Sequence, residues 1–248
     1  MNNYETHSLS ALLSGNSYPG RGILIGRMED AQKACVAYFI MGRSQNSQNR
    51  VFVERENALF TEPFDAARVE DPSLILYAPL RTLNDQLIVS NGDQTDTIYR
   101  ALQEGKNFVQ ALEMRRFEPD APNFTPRISG LMHFSKAPDF SYELSILKSI
   151  DAEGTDCCRM HFSYPSKPGL GHLLHTYQSD GAPIPSFQGE PRRVRLAGDI
   201  DSLTGELWNA LDVDNRISLY VRLIDLEDGS FERRLINKNE YGKGVKHE

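Results

Sequence analysis

Two segments of the chain concentrate side chains that can bind or react with a ligand. Residues 43–50 contain only hydrogen-bonding side chains, with Arg43 and Arg50 at the two ends. Arginine presents a fixed fork of donors, so two arginines bracketing amides favour a planar or anionic ligand, although an ordinary solvated loop is the alternative. Residues 117–127 form the second segment, in which three prolines stiffen a loop that holds carboxylates and Arg127.

Most motifs of well-known enzyme classes are absent from the sequence. It contains no phosphate-binding GxxxxGK[ST] loop, no GxSxG elbow and no HExxH zinc motif. The glycines of residues 20–26 precede a strand with no helix behind it, which disfavours a dinucleotide site. His172 and His175 lack a carboxylate at a suitable spacing and lie in a Pro/Gly-rich stretch, 165–191, where a loop is more plausible than a metal-binding helix. We therefore expect no metal.

Composition narrows the class of protein. The chain has 248 residues, with 27 Lys and Arg against 34 Asp and Glu, a net charge of -7. This acidic balance argues against a nucleic-acid-binding module. No apolar run approaches the roughly 20 residues of a membrane helix, and the first residues lack the features of a signal peptide. We expect a cytoplasmic protein with no membrane partner, forming a single domain over residues 1–248.

The elements that must hold these side chains are mainly strands. Residues 22–26 and 35–41 are apolar, rich in β-formers, and predict a buried hairpin around a turn at 28–33, with Cys35 as a small core residue. Further strands are predicted at 73–77 and 86–90. Apolar residues alternate with polar ones at 142–146, 160–164 and 217–223, and a hairpin turn at Asp228-Gly229 leads to a last strand at 231–236.

Three helices interrupt the strands. Thr95 or Asp96 is the predicted N-cap of a helix that ends at Gly105. A second helix is predicted at 107–117. The third contains Leu203 to Leu211 and has Asp201 or Ser202 as its cap candidates. Hairpins dominate and no regular βαβ alternation is seen, so the pattern predicts an α+β fold with a largely antiparallel sheet.

A set of short motifs resembles the archaeal-type IMP cyclohydrolase family. Ser-Asn-Gly-x-x-Thr-Asp-x-Ile at residues 90–98 and Thr-Pro-Arg-Ile at residues 125–128 are specific in combination. The other matching pieces are residues 18–27, 37–38, 42–50, 75–77 and 123–124. Their order and spacing are similar to the family throughout residues 18–128, whereas the C-terminal half matches loosely.

The resemblance implies a fold and a reaction. The fold is a four-layer αββα sandwich of the N-terminal-nucleophile hydrolase type, used without the nucleophile. The reaction is the last step of purine biosynthesis, in which 5-formamidoimidazole-4-carboxamide ribotide closes to IMP and loses water. It requires no cofactor. The partners implied are this ribonucleotide and other copies of the chain in a homo-oligomer.

The resemblance also implies roles for individual residues. Glu118 would act as base, Tyr77 as acid or hydrogen-bond donor, and Arg50 as the electrostatic partner of the developing oxyanion. Asp120 competes with Glu118 for the role of base. Contacts with the substrate are expected from Arg21, Arg43, Asn91, Gly92, Asp96 and Arg127. From the residues alone, the three catalytic candidates have simpler interpretations, which are a half-buried strand aromatic for Tyr77, a solvated loop acid for Glu118 and a surface charge for Arg50.

Two other functions remain compatible with the sequence. An amide or cyclic-amide hydrolase on a related scaffold would share the transition state of ring closure. A non-catalytic purine-nucleotide-binding protein would keep the arginines and leave the acid and base idle.

Overall fold

The computed structural model of the chain describes residues 4–68 and 76–239. Within them, six strands form the first sheet. They are β1 (Arg21–Arg27), β2 (Lys33–Met41), β10 (Leu170–His175), β11 (Arg192–Arg195), β12 (Arg216–Asp225) and β13 (Phe231–Asn237). Their spatial order is β11-β10-β1-β2-β12-β13. The central strands of this sheet therefore come from both ends of the sequence.

Seven of the described strands form the second sheet, in simple chain order from β3 to β9. They are β3 (Val51–Arg55), β4 (Ala58–Glu62), β5 (Leu80–Leu83), β6 (Gln86–Ser90), β7 (Arg127–Lys136), β8 (Asp139–Ser149) and β9 (Cys157–Pro165). All pairings between the named strands of both sheets are antiparallel. The fold is α+β with two antiparallel sheets, as predicted.

Helices are short and few in the described part of the chain. They are α1 (Leu9–Leu13), α2 (Gln45–Gln48), α3 (Gln94–Gln103), α4 (Phe108–Leu112), α5 (Ile200–Ala210) and one 3-10 turn (Ala66–Arg68). No helix in residues 4–68 and 76–239 is long and apolar enough to cross a bilayer.

The alternation of side chains along each strand divides the apolar residues among three cores. In β2, Val36, Tyr38 and Ile40 contribute to the core between the two sheets. The intervening residues point to the other face, where Phe39 packs in a core with α1 and α5. A third core lies between α3, α4 and the outer face of the second sheet, around Leu131. Both sheets are thus covered by helices on one face and by each other on the opposite face.

Several predicted elements are confirmed. The hairpin of residues 22–26 and 35–41 is β1 and β2, with Gly26 opposite Cys35. The strand predicted at 86–90 is β6, and those at 142–146, 160–164, 217–223 and 231–236 lie within β8, β9, β12 and β13. The strand predicted at 73–77 falls largely outside the described residues.

Other predictions were wrong in their boundaries. The N-cap of α3 is Asp93 instead of Thr95 or Asp96, since the helix already begins at Gln94; the buried Thr95 hydroxyl lies 2.5 Å from that of Ser90. The N-cap of α5 is Asp199, whose carboxylate accepts from the Ser202 amide at 2.8 Å. The helix predicted at 107–117 begins with Asn107 as its cap and ends at Leu112.

The loop predicted for residues 165–191 was also partly wrong. Residues 170–175 form β10, a buried strand that pairs with β1 and brings His172 opposite Ile25. Flanking glycines and prolines obscured a short apolar run with histidines at two of its six positions.

Candidate active site

Five side chains from five separate segments come together where the first sheet meets the second. They are Arg21, Tyr38, Arg50, Tyr77 and Glu118, and we call them the site cluster. Arg21 opens β1, Tyr38 lies in β2, Arg50 immediately precedes β3, and Tyr77 precedes β5. Glu118 lies in the loop between α4 and β7. The charges of the two arginines and of Glu118 act directly on the ionisation of Tyr77. The structure therefore brings together the three predicted catalytic residues.

The two arginines of the site cluster are buried and form no salt bridge within residues 4–68 and 76–239. Arg21 and Arg50 are 9% and 6% exposed, and neither guanidinium forms a hydrogen bond or salt bridge with a described residue. The Nε atom of each is fully buried and lacks an acceptor. A buried cation without partners is costly, so this pair is prepared for an anionic or strongly polar ligand.

Burial and neighbouring charges act differently on the two guanidinium groups. Burial lowers the pKa of Arg50, and the positive charge of Arg21 lowers it further. Burial also disfavours the Arg21 cation, but the negative charges of Glu118 and, once ionised, of the neighbouring tyrosines outweigh it and raise the pKa of Arg21. Both groups remain cations at neutral pH, since arginine is protonated far above this range.

Tyr77 is fixed at both its backbone and its hydroxyl. Its carbonyl oxygen accepts from the Thr61 amide at 3.0 Å and from the Thr61 hydroxyl at 3.1 Å. The Tyr77 hydroxyl lies 2.9 Å from the hydroxyl of Tyr38. Burial raises the pKa of Tyr77, although Arg50 and Arg21 oppose this effect. Tyr77 is therefore a neutral phenol that can donate a proton at physiological pH.

The structure distinguishes the two carboxylates that compete for the role of base. Asp120 is committed to Thr125, since one carboxylate oxygen accepts from the Thr125 amide at 2.7 Å and the other from its hydroxyl. The Glu118 carboxylate has no hydrogen bond or salt bridge to a described residue, while its amide donates to the Thr125 carbonyl at 2.9 Å. Asp120 shapes the loop, and Glu118 is left available to a ligand.

Burial raises the pKa of Glu118. Arg21 and Arg127 oppose the shift, and Asp120 adds to it. A carboxylate whose pKa lies above its ordinary value is a stronger base than a solvated one, which suits removal of a proton from a weakly acidic amide.

The Ser-Asn-Gly turn at residues 90–92 supports this site through its hydrogen bonds. Asn91 is buried; its amide nitrogen donates to the Pro126 carbonyl at 2.9 Å, and its oxygen accepts from the Ile128 amide at 2.9 Å. The turn thereby ties the end of β6 to the start of β7. The side chain of Asn91 is used within the protein, and its predicted contact with substrate stays a prediction.

The same turn places the partners of Arg127. Arg127 donates to the Asp93 carboxylate at 2.7 Å and to the Gln94 side-chain oxygen at 2.8 Å. A Cβ on Gly92 would lie 2.6 Å from the Arg127 guanidinium, so only glycine allows this approach. The predicted residues Gly92 and Arg127 therefore adjoin each other, and Arg127 acts electrostatically on Glu118.

Two predicted binding residues lie outside the site cluster. Arg43 pairs with Asp180, donates to the Gly181 carbonyl at 3.0 Å, and lies over the ring of Tyr18 with 5.0 Å to its centroid. Asp96 pairs with Arg81 at 2.6 Å on the wall of a cavity of about 790 Å³ that Tyr77 also lines. Their substrate contacts stay predictions.

Sequence reasoning missed three residues of this region. Tyr38 was placed in an apolar strand and in the family-like residues 37–38 but was given no functional role, although its hydroxyl reaches Tyr77. Tyr177 and Thr125 have their hydroxyl oxygens 2.5 Å apart, and Tyr177 also acts on the charge of Arg21. A buried tyrosine in a strand carries no distinctive sequence signal, since its hydroxyl partner is set by long-range packing.

His172 and His175 are core residues of β10. The Nδ1 atom of His172 lies 2.6 Å from the Tyr142 hydroxyl, and its ring stacks on Tyr164 with 3.7 Å between centroids. His175 donates from Nδ1 to the Tyr177 carbonyl at 2.7 Å. Burial lowers the pKa of both histidines to about 4. Both are therefore neutral at pH 7, and His175 helps to hold Tyr177.

Comparisons with known proteins agree on one family. The model of a family described as IMP cyclohydrolase-like protein matches residues 18–229. A protein of Methanopyrus kandleri named IMP cyclohydrolase is 32% identical over 183 residues, covering 69% of this chain and 89% of the relative. A protein of Methanothrix thermoacetophila with the same name is 32% identical over 119 residues, covering 46% of this chain and 57% of the relative.

The family match extends well past the motifs that carried the resemblance. It includes β10, the loop with Tyr177, and β12, which the motifs in residues 18–128 do not reach. Because the match spans most of the sequence and both sheets, the chain belongs to the IMP cyclohydrolase-like family.

Proposed function

We propose that this protein is an IMP cyclohydrolase, which closes the purine ring of 5-formamidoimidazole-4-carboxamide ribotide with loss of water. Family membership and the two relatives named IMP cyclohydrolase support the reaction. The observation that carries it to particular residues is the site cluster, where two buried arginines and a carboxylate, none paired with another described residue, act electrostatically on a neutral phenol.

The chemistry needs a base, a donor and a hold on the anionic ligand. The carboxamide nitrogen attacks the formyl carbon and forms the new C–N bond while one of its protons passes to Glu118. The formyl oxygen gains a proton from Tyr77, and Arg50 stabilises the negative charge that develops on that oxygen. The resulting hydroxyl takes a second proton, from the protonated Glu118, and leaves as water, while the proton of the formamide nitrogen returns to Tyr77 as the new C=N bond forms. The cluster contains one side chain for each role.

The four arginines near the site differ in whether a carboxylate of the protein pairs with them. Arg43 already pairs with Asp180, and Arg127 pairs with Asp93, a carboxylate that Arg115 shares. Arg21 and Arg50 are the buried pair without a partner among the described residues. We assign the most direct contacts with the nucleotide to these two, and a supporting role to Arg127 beside Glu118.

We further propose a four-layer sandwich of the N-terminal-nucleophile hydrolase type in one domain. The support is the order of the cores, with helices on the outer face of each sheet and a shared core between the sheets. A cytoplasmic homo-oligomer that binds neither nucleic acid nor membranes remains our expectation. Light scattering on the purified protein would measure its subunit number.

An ultraviolet assay with the formamido ribotide, corrected for spontaneous closure, tests the function. We expect turnover to IMP in the unmodified protein and a loss of about 100-fold or more in Glu118→Gln, the range of general base catalysis. Glu143→Gln is the matched control, because Glu143 is also partly buried but bonds to His133 at 2.9 Å outside the cluster.

Each result separates the competing functions. Calorimetric binding of IMP without turnover would identify a nucleotide-binding protein instead of an enzyme. Turnover of other cyclic amides without the ribotide would identify a related hydrolase. Equal losses in Glu118→Gln and Glu143→Gln would contradict the assignment of Glu118.

A further inference from the structure

Tyr38 is a buried tyrosine whose hydroxyl contacts Tyr77, the proposed proton donor of the site cluster. The side chain is fully buried in the core between the sheets and stacks on Phe52 with 5.5 Å between ring centroids. Its hydroxyl has one partner among the described residues, the hydroxyl of Tyr77 at 2.9 Å.

Tyr38 is the rigid member of this phenol pair. It lies in the middle of β2 and is flanked by β1 and β12, opposite Ile23 and Tyr220. Tyr77 lies outside the strands, in the segment that leads into β5, and depends on Thr61 for its backbone position. The position of the Tyr77 hydroxyl is therefore defined by Tyr38 from inside the core.

The direction of the hydrogen bond follows from the chemistry of a phenol. Each phenol has one proton to donate and oxygen lone pairs that accept. If Tyr77 donates its proton to the substrate oxygen, it has none left for Tyr38. Tyr38 must then donate to Tyr77, since a buried hydroxyl pair that faced oxygen to oxygen would leave both unsatisfied.

We propose that Tyr38 is a positioning residue, whose hydroxyl donates to Tyr77 and so directs the Tyr77 proton toward the reacting oxygen. The inference rests on the proposed function. The same bond stabilises the Tyr77 oxygen as it gives up its proton, together with the nearby Arg50 and Arg21 cations. Tyr38 itself contacts no substrate and acts through Tyr77.

Three variants of the full chain, assayed for closure of the formamido ribotide, test the proposal. Tyr38→Phe removes the donor and keeps the ring. We expect kcat to fall about 10- to 100-fold, the scale of one hydrogen bond in the transition state, with KM within about threefold of the unmodified protein. In Tyr38→Phe/Tyr77→Phe we expect the activity of Tyr77→Phe alone, because Tyr38 acts only through Tyr77.

Tyr142→Phe is the matched control. Tyr142 is also a buried tyrosine of the same core with one hydroxyl hydrogen bond, to His172 at 2.6 Å, but it lies outside the site cluster. Its removal should lower thermal stability to a degree similar to Tyr38→Phe and leave kcat unchanged. A purely structural role of Tyr38 would give the two variants the same kinetics.

Three outcomes would overturn the proposal. One is an unchanged kcat in folded Tyr38→Phe. Another is a double variant whose loss equals the product of the single losses, because Tyr38 would then act independently of Tyr77. No turnover in the unmodified protein would reject the proposed function itself, and with it the role of Tyr38; this result is distinct from the other two.

Discussion

The molecule buries arginine in two contrasting surroundings. Arg222 in β12 is 2% exposed, and its guanidinium bonds to Glu54 at 3.2 Å, to the Tyr220 hydroxyl at 2.8 Å and to the Asn57 carbonyl at 3.0 Å. In the site cluster, Arg21 and Arg50 are nearly as buried, but their guanidinium groups have no such partners in the described part of the chain. Burial alone therefore does not distinguish a structural arginine from a functional one. The distinguishing property is whether the protein itself satisfies the charge.

The largest expected effect comes from removing an unpaired arginine. Arg50→Met keeps much of the side-chain volume and removes the donors. We expect kcat/KM for ribotide closure to fall about 1000-fold, the upper range for one oxyanion-stabilising donor. The free energy of unfolding should stay unchanged or rise, since a buried cation without a partner is lost. Steady-state assays and urea unfolding measure the two effects.

The paired arginine should respond in the opposite way. Arg222→Met leaves Glu54 partly buried without its inner partner, so we expect a loss of about 3 kcal/mol in the free energy of unfolding. Arg233 still pairs with Glu54, which keeps the loss at the lower end of this range. The folded fraction should retain its activity. A stability loss in Arg50→Met equal to that in Arg222→Met would refute the contrast.

A smaller loss of turnover is expected from changing Asp93, which pairs with Arg127 outside the site cluster. Asp93→Asn weakens the ion pairs with Arg115 and Arg127, so Arg127 is no longer held beside Glu118. We expect turnover to fall about tenfold, or about 1.4 kcal/mol of transition-state stabilisation. Asp201→Asn is the control, because that carboxylate pairs with Arg234 at a surface site. Equal activities of the two variants would remove Arg127 from the mechanism.

Apolar runs and strand periodicity predicted seven of the thirteen described strands. Alternation along residues 142–146 or 217–223 predicts a strand directly, because it reflects the pleat itself, although residues 217–223 of β12 are buried on both faces. Helix caps were harder to predict from the sequence. Asp199, Asp201 and Ser202 all have side chains suited to an N-cap, and only the backbone geometry selects Asp199. Strand β10 was missed because histidines in a Gly- and Pro-flanked run resemble a loop.

The site was predictable through resemblance but not from residue types alone. Arg50, Tyr77 and Glu118 were selected by motif and are brought together by the fold, while their catalytic roles stay predictions. The ion pair of Arg43 is made with Asp180, which lies 137 positions further along the chain. The buried position of Asn91 depends on hydrogen bonds to Pro126 and Ile128, which lie 35 and 37 positions further along. Sequence reasoning over local motifs has no access to such contacts.

The smallest expected effect is the loss of folding stability that results from burying the ionised carboxylate of Glu118. Burial raises its pKa in the folded protein above the ordinary value of 4.5, so the folded state holds this proton more tightly than the unfolded chain. The stability from this group is present below pH 4.5 and is lost as pH rises through the raised pKa. Glu118→Gln should therefore unfold at a higher temperature than the unmodified protein at pH 8, and at the same temperature near pH 4.

Turnover of the unmodified protein should depend on pH in the opposite way to its stability. It should increase as pH rises through the same raised pKa, because Glu118 must be ionised to act as a base. Matching midpoints for the stability difference and the activity profile would show that one carboxylate sets both, whereas a stability difference that did not depend on pH would place its cause in packing.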